Sequence, residues 1–162
     1  MIVIGIDPGP LKCGLVRYDT DDKRVVESFK DADVDFVLRY IGKSQAQHIG
    51  IERVQSYGIA GGDLLRTSEV VGRLWQQAFR QDHYAIEGGL SLHYRRDVLR
   101  FLDVTGKGSR DSLVRARLIE MHGGTRAEAQ GSKRNQGPLY GVSSHAWSAL
   151  AVALTAADGV KT

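Results

Sequence analysis

Two carboxylates occupy matching places in the chain. Ile2-Val3-Ile4-Gly5-Ile6 runs into Asp7-Pro8-Gly9, and His48-Ile49-Gly50-Ile51 runs into Glu52-Arg53-Val54. The first run suits a strand buried on both faces, and Pro8 and Gly9 end it sharply, so Asp7 belongs at a strand tip. A half-buried carboxylate without a cation or donors is costly. Taken alone, Asp7 is either a metal or phosphate ligand or a residue that caps its own turn. Glu52 adds a second observation. If the two strands are neighbours, both acids meet at one sheet edge, and their repulsion calls for a cation between them.

The second half of the chain holds residues suited to a polyanion. Thr105-Gly106-Lys107-Gly108-Ser109 sets two glycines around a lysine ahead of a helical stretch from about Arg110 to His122. Backbone amides of such a turn, a helix start and a lysine suit a phosphate, although the spacing is not that of a nucleotide P-loop. Residues 123–142 are glycine-rich and polar with Lys133 and Arg134; a segment of that length touches substrate or is disordered when free. Tyr57 and Ile59, in the glycine-rich stretch 55–62, either insert against bases or belong to a connector with one packed aromatic. His145 and Ser148 are three apart near the start of the last helix. That face is aimed at the two acids, or His145 is one more polar residue of a first turn.

The elements that must carry these residues alternate between strand and helix. After the Asp7 turn, residues 14–18 and 24–29 read as a hairpin around Asp19-Thr20-Asp21-Asp22. Val34, Val37, Leu38 and Ile41 have helical spacing, with Asp33 as N-cap and Gly42 at the C-terminal end. A helix between the first strand and the Glu52 strand makes a parallel crossover plausible. A long helix from about Asp63 toward Gly88 follows, with Leu64, Val71, Trp75, Ala78 and Phe79 on one stripe, widened by Val70 and Leu74. A stripe that wide either packs wholly on the sheet or leaves apolar surface for a second subunit. Ser91–Tyr94 is the last strand, and residues 143–154 form a small-residue amphipathic helix.

The 162 residues and a net charge of +3 fit one folded domain spanning the whole chain. The charge is uneven. Residues 18–35 carry seven acids against three bases, and residues 95–142 carry ten bases against five acids. A basic half beside an acidic half suits a polyanion docked on one side, or a mixed solvated surface. No apolar run approaches the ~20 residues needed to span a bilayer, and the N-terminus lacks a secretory pattern, which points to the cytosol. The lone Cys13 beside an apolar strand reads as a small buried residue.

The order of these pieces resembles the RuvC family of Holliday junction resolvases, which have an RNase H-like fold. The resemblance covers nearly the whole chain and rests on residues 4–9, Glu52, Gly106-Lys107-Gly108 and the helix from His145 to Leu154. It implies an α/β domain with a mixed five-stranded sheet flanked by helices. It also implies a dimeric, metal-dependent endonuclease, paired through the long helix 63–88, that cuts four-way DNA junctions. Asp7 and Glu52 then match the first two metal ligands, and His145 the third. Ser148 stands where the family places a further acid. Either His145, waters and Ser148 complete a weaker site, or Asp111 substitutes, or the protein binds junctions and cuts them poorly. The resemblance implies two Mg²⁺ ions, with Mn²⁺ favoured if the imidazole is a ligand. Lys107 would neutralise the scissile phosphate, while Arg95, Arg96, Arg100, Arg110, Arg115 and Arg117 hold flanking phosphates. The compact length and altered last helix lean toward a phage version.

Other RNase H-like nucleases share the acid pair and cut hybrids or single strands. The actin-like ATPase fold has a similar opening turn, but it duplicates that motif in a second domain, which this sequence does not show.

Overall fold

The computed structural model describes residues 1–56, 58, 61–81, 89–105 and 110–160. Tyr57, Ile59, Lys107 and the 82–88 portion of the expected long helix lie outside the described residues. The chain opens with three antiparallel strands, β1 (Ile2–Pro8), β2 (Lys12–Asp19) and β3 (Arg24–Asp33). Helix α1 (Val34–Lys43) crosses over to β4 (His48–Arg53), which runs parallel to β1 with Gly5 opposite Gly50 and Ile6 opposite Ile51. After α2 (Gly62–Phe79), β5 (Leu90–Tyr94) adds parallel to β4. The sheet order is β3-β2-β1-β4-β5, the mixed five-stranded sheet expected from the sequence. Among the described residues the further helices are α3 (Arg95–Phe101), α4 (Arg110–Met121), the short α5 (Arg126–Ala129) and α6 (Ala146–Val160).

Strand alternation divides the core into two layers. Ile4, Ile6, Ile49 and Ile51 pack with Val37 and Ile41 of α1 and with Val70, Val71 and Leu74 of α2. Val3 and Val16 belong to the opposite layer with α3, α4 and α6. In β1 and β4 that second face continues through Gly5 to Asp7 and through Gly50 to Glu52. The same alternation that buries the isoleucines therefore turns both acids toward α6.

Helix α6 lies almost on the sheet backbone. An added Cβ at Gly5 would stand 2.0 Å from the carbonyl oxygen of Ala149, and one at Gly50 would stand 2.7 Å from Cβ of Ala156. At Gly14 it would meet the carbonyl oxygen of His145 at 2.3 Å. Glycine below, with alanine above at the tightest points over Gly5 and Gly50, allows so close an approach. Ala149, Ala153 and Ala156 are fully buried in that contact.

Four boundaries differ from the sequence reading. Helix α1 starts after Asp33 as expected, although the Asp33 carboxylate accepts from Lys12 Nζ at 2.6 Å and makes no capping bond, and the helix passes through Gly42 to Lys43. Helix α2 ends at Phe79, where the Arg80 amide closes onto Gln76 O. Its inward stripe is Thr67, Val70, Val71, Leu74 and Ala78, which leaves Phe79 and Leu65 exposed. Residues 123–142 are ordered by contacts the sequence does not announce: Leu139, Val142 and Ala129 are buried, Val25 N–H donates to Pro138 O, and Gln130 donates to Val142 O. Finally, His145 precedes α6, in a turn where Ser144 adopts a left-handed φ of 48°.

Because the two nearest atoms facing Gly5 are backbone, Gly5→Ala is expected to destabilise the protein by about 3 kcal/mol, the upper end of the overpacking range. Gly72 lies in α2 with nothing within 4 Å of an added Cβ, so Gly72→Ala should stabilise by about 0.5–1 kcal/mol. Urea unfolding of the two variants checks both signs.

Candidate active site

Asp7 and Glu52 line one cleft with Arg95, Asp111, His145 and Ser148; the Pro8–Lys12 turn forms its other wall. Asp7 is held one residue beyond the last β1–β4 pair, and Glu52 lies in β4 opposite His93. His145 presents Nδ1 3.4 Å from Oδ2 of Asp7, while its own ring is mostly exposed. Arg95 is the first residue after β5. Its Nη1 lies 3.6 Å from Oε2 of Glu52 and 3.3 Å from Ser148 Oγ, and its Nη2 pairs with Asp111. At 3.6 Å the contact with Glu52 is an ion pair and too long for a hydrogen bond, so Oε2 of Glu52 is buried without a donor.

Burial dominates the electrostatics of both acids. It raises the Asp7 carboxyl above its ordinary value, against the pull of His145 and Arg95. Glu52 is pushed up to about 7, first by burial and then by the charge of Asp7, with Arg95 acting in the opposite direction and Asp111 adding to the rise. The pair is thus two carboxylates of one cleft whose burial outweighs the pull of Arg95 and His145.

Among the described residues no three His, Cys, Asp or Glu side chains gather closely enough to form a ready-made cation cage. Asp7 and the donor-less Oε2 of Glu52 nonetheless fit a hard divalent ion of the Mg²⁺ kind, which is held by one or two carboxylates and completed by waters and substrate phosphates. A second groove continues from this cleft between α4 and α6, lined by Arg115, Asp111, Trp147 and Ser148.

The other basic residues separate into groups. Arg110 is exposed at the start of α4. Arg96 lies against the Tyr94 ring, 5.0 Å from its centroid, and Arg100 pairs with Asp97 at 3.5 Å. Arg117 is committed to Glu120 and to Leu102 O. Lys133 and Arg134 are exposed and do not line the cleft; their segment is fastened to Val25, near the end of the sheet away from Asp7. The sequence reading gave Arg95 only a flanking role and did not single out Leu11, which is 70% exposed on the cleft wall. A signal for Arg95 existed: it immediately follows a parallel strand, and such strand ends converge at one edge.

An antiparallel three-strand opening, a parallel continuation and acids at adjacent strand ends together define an RNase H-like α/β fold. No family model matches the chain, and no curated protein sequence does. Solved structures do. The chain is similar to Thermus thermophilus RuvC, with 20% identity, a TM-score of 0.67, and coverage of 99% of this chain and 96% of that one. The same protein in complex with a Holliday junction substrate matches with 19% identity, TM-score 0.64, and coverage of 99% and 95%. The yeast mitochondrial Holliday junction resolvase Ydc2 matches with 14% identity, TM-score 0.50, and coverage of 98% and 81%. The fold is RuvC-like, over essentially the full described chain.

Because the folded-state value for Glu52 lies above its ordinary 4.5, the cost of ionising it is absent below that pH and complete above about 7. In chelator, Glu52→Gln is expected to stabilise the fold by up to about 3 kcal/mol near pH 8 and by almost nothing near pH 4. Urea unfolding at the two pH values measures the difference, and an effect independent of pH would contradict a buried charge.

Proposed function

We propose that the chain is a divalent-metal-dependent endonuclease that resolves four-way DNA junctions. The observation that carries the reading is the meeting of Asp7 and Glu52 in one cleft of a RuvC-like fold, with His145 beside Asp7. The junction-bound RuvC relative supports branched DNA as the substrate class.

In this reading Asp7 and Glu52 would hold the cation, with His145 beside Asp7. A bound Mg²⁺ or Mn²⁺ supplies Lewis-acid polarisation of the phosphate and a water of lowered pKa. His145, whose Nδ1 lies 3.4 Å from Asp7, would be placed to orient a water at that ion or to take its proton. Arg110 and Arg115 hold phosphates along the groove between α4 and α6, with Arg96, Arg100, Lys133 and Arg134 as outer contacts. Lys107, just ahead of α4 in the sequence, is the candidate to neutralise the scissile phosphate, and Tyr57 the candidate to stack on an opened base. Such contacts recognise backbone and shape, so binding should fall steeply with salt and depend weakly on sequence.

A homodimer through α2 fits the chemistry, because a two-fold pair of sites meets two symmetric strands. Leu65 and Phe79, 56% and 52% exposed, are the apolar side chains on that helix available for the contact. A second reading is a junction-binding protein with little cleavage. It is favoured by one observation: Glu52 and Asp111 already have Arg95 as a cation partner.

Incubation of a synthetic four-way junction with Mg²⁺ and separately with Mn²⁺ should yield two nicked duplexes, with an RNA–DNA hybrid left intact. Asp7→Asn and Glu52→Gln should each lower the rate more than about 100-fold, beyond the 10–100-fold typical of residues that only orient a ligand. Wild type that binds junctions without cutting in either metal would establish the second reading instead. Sedimentation should give a dimer for wild type and a monomer for Leu65→Glu with Phe79→Glu, which would still bind junctions but lose paired cutting.

A further inference from the structure

Arg95 is engaged on three sides inside the cleft. Its guanidinium faces Glu52 at 3.6 Å and Ser148 at 3.3 Å and pairs with Asp111, and its side chain is only 27% exposed. A residue that merely waited for a flanking phosphate would extend into solvent, as Arg100 does at 79% exposure. Arg95 instead fills the interval between β4 and α6, the side of the cleft on which the substitution at Ser148 falls. With Lys12 of the same cleft already paired to Asp33 and His145 left aside, Asp7, Glu52 and Asp111 against Arg95 leave two net negative charges, which one divalent ion neutralises and two would reverse.

We propose that Arg95 is the resident cation of this site, occupying the Glu52–Ser148 side so that each chain takes one divalent ion, and presenting its guanidinium to the reacting phosphate. A planar, permanently charged group with several donors can bridge a carboxylate, a hydroxyl and a phosphate oxygen at once, which lysine cannot reproduce. The role in phosphate chemistry rests on the nuclease reading; the role in metal count does not.

Two measurements test it. Titration of DNA-free protein with Mn²⁺, followed by calorimetry and electron paramagnetic resonance, should give one ion per chain for wild type and also for Ser148→Asp, whose new acid would be paired by Arg95. Ser148→Asp combined with Arg95→Ala should rise to two. Any other wild-type count overturns the proposal, as does a double variant that stays at one. In junction assays Arg95→Ala should lose roughly 10²-fold or more of the single-turnover rate at saturating enzyme, the loss typical when one preorganised charge-stabilising donor is removed. An Arg95→Ala variant that cuts at the wild-type rate once saturated, but binds more weakly with a salt slope smaller by about 1, would make Arg95 an ordinary phosphate contact and overturn the proposal. Absence of cleavage by wild type in either metal would remove the nuclease reading, while the Mn²⁺ counts would still decide the place of Arg95. Wild-type stoichiometry needs no variant to fold.

Discussion

The close contact between α6 and the glycines of the sheet is the constraint on which the rest of the molecule depends. Gly5, Gly50 and Gly14 leave no room for a side chain beneath Ala149, Ala156 and the His145 carbonyl. A helix this close to three strands is fixed in both height and rotation, because a side chain added to the glycines beneath it would meet its backbone or its Ala153 and Ala156 methyl groups. The carbonyl of His145, pressed on Gly14, anchors the turn before the helix, and the left-handed Ser144 aims the chain into it. The distance between His145 and Asp7 is thus set by backbone packing and does not depend on their own modest attraction.

Strand alternation supplies the complementary half of the arrangement. A glycine two residues before each acid lets α6 approach, and the acid then emerges on the same face just past the contact. Gly5 with Asp7 and Gly50 with Glu52 repeat that device on neighbouring parallel strands. The packing solution and the placement of charge are therefore one feature. Burial that would make an isolated carboxylate untenable here raises both acids' affinity for positive charge, whether protons, Arg95 or a divalent ion.

Basic residues of the second half divide by geometry. Arg95 turns into the cleft, Arg115 lines the neighbouring groove, and Arg117 is consumed in structural pairing. Lys133 and Arg134 ride on a segment fastened to β3 through Val25 and Pro138. A uniform basic face in the sequence is thus a graded set, ranging from site to scaffold.

Local pattern was sufficient for the strands, the hairpin, the parallel crossover and the placement of Asp7 and Glu52 at neighbouring strand ends, because alternation and turn residues act over a few positions and both acids follow apolar runs. It was insufficient where partners come from distant parts of the chain. The ordering of residues 123–142 depends on Leu139 and Val142 entering the core, and no short-range signal in a glycine-rich polar stretch reports that. The end of α2 at Phe79 and the passage of α1 through Gly42 were likewise decided by backbone bonding and packing. Sequence by itself determined which residues were chemically eligible: Asp7, Glu52, His145 and a neutral Ser148 where an acid was expected. Only the tertiary structure decided that Arg95 joins them, because a side chain at the start of α3 meets Glu52, Asp111 and Ser148 only after three separate stretches of chain have been brought to one sheet edge.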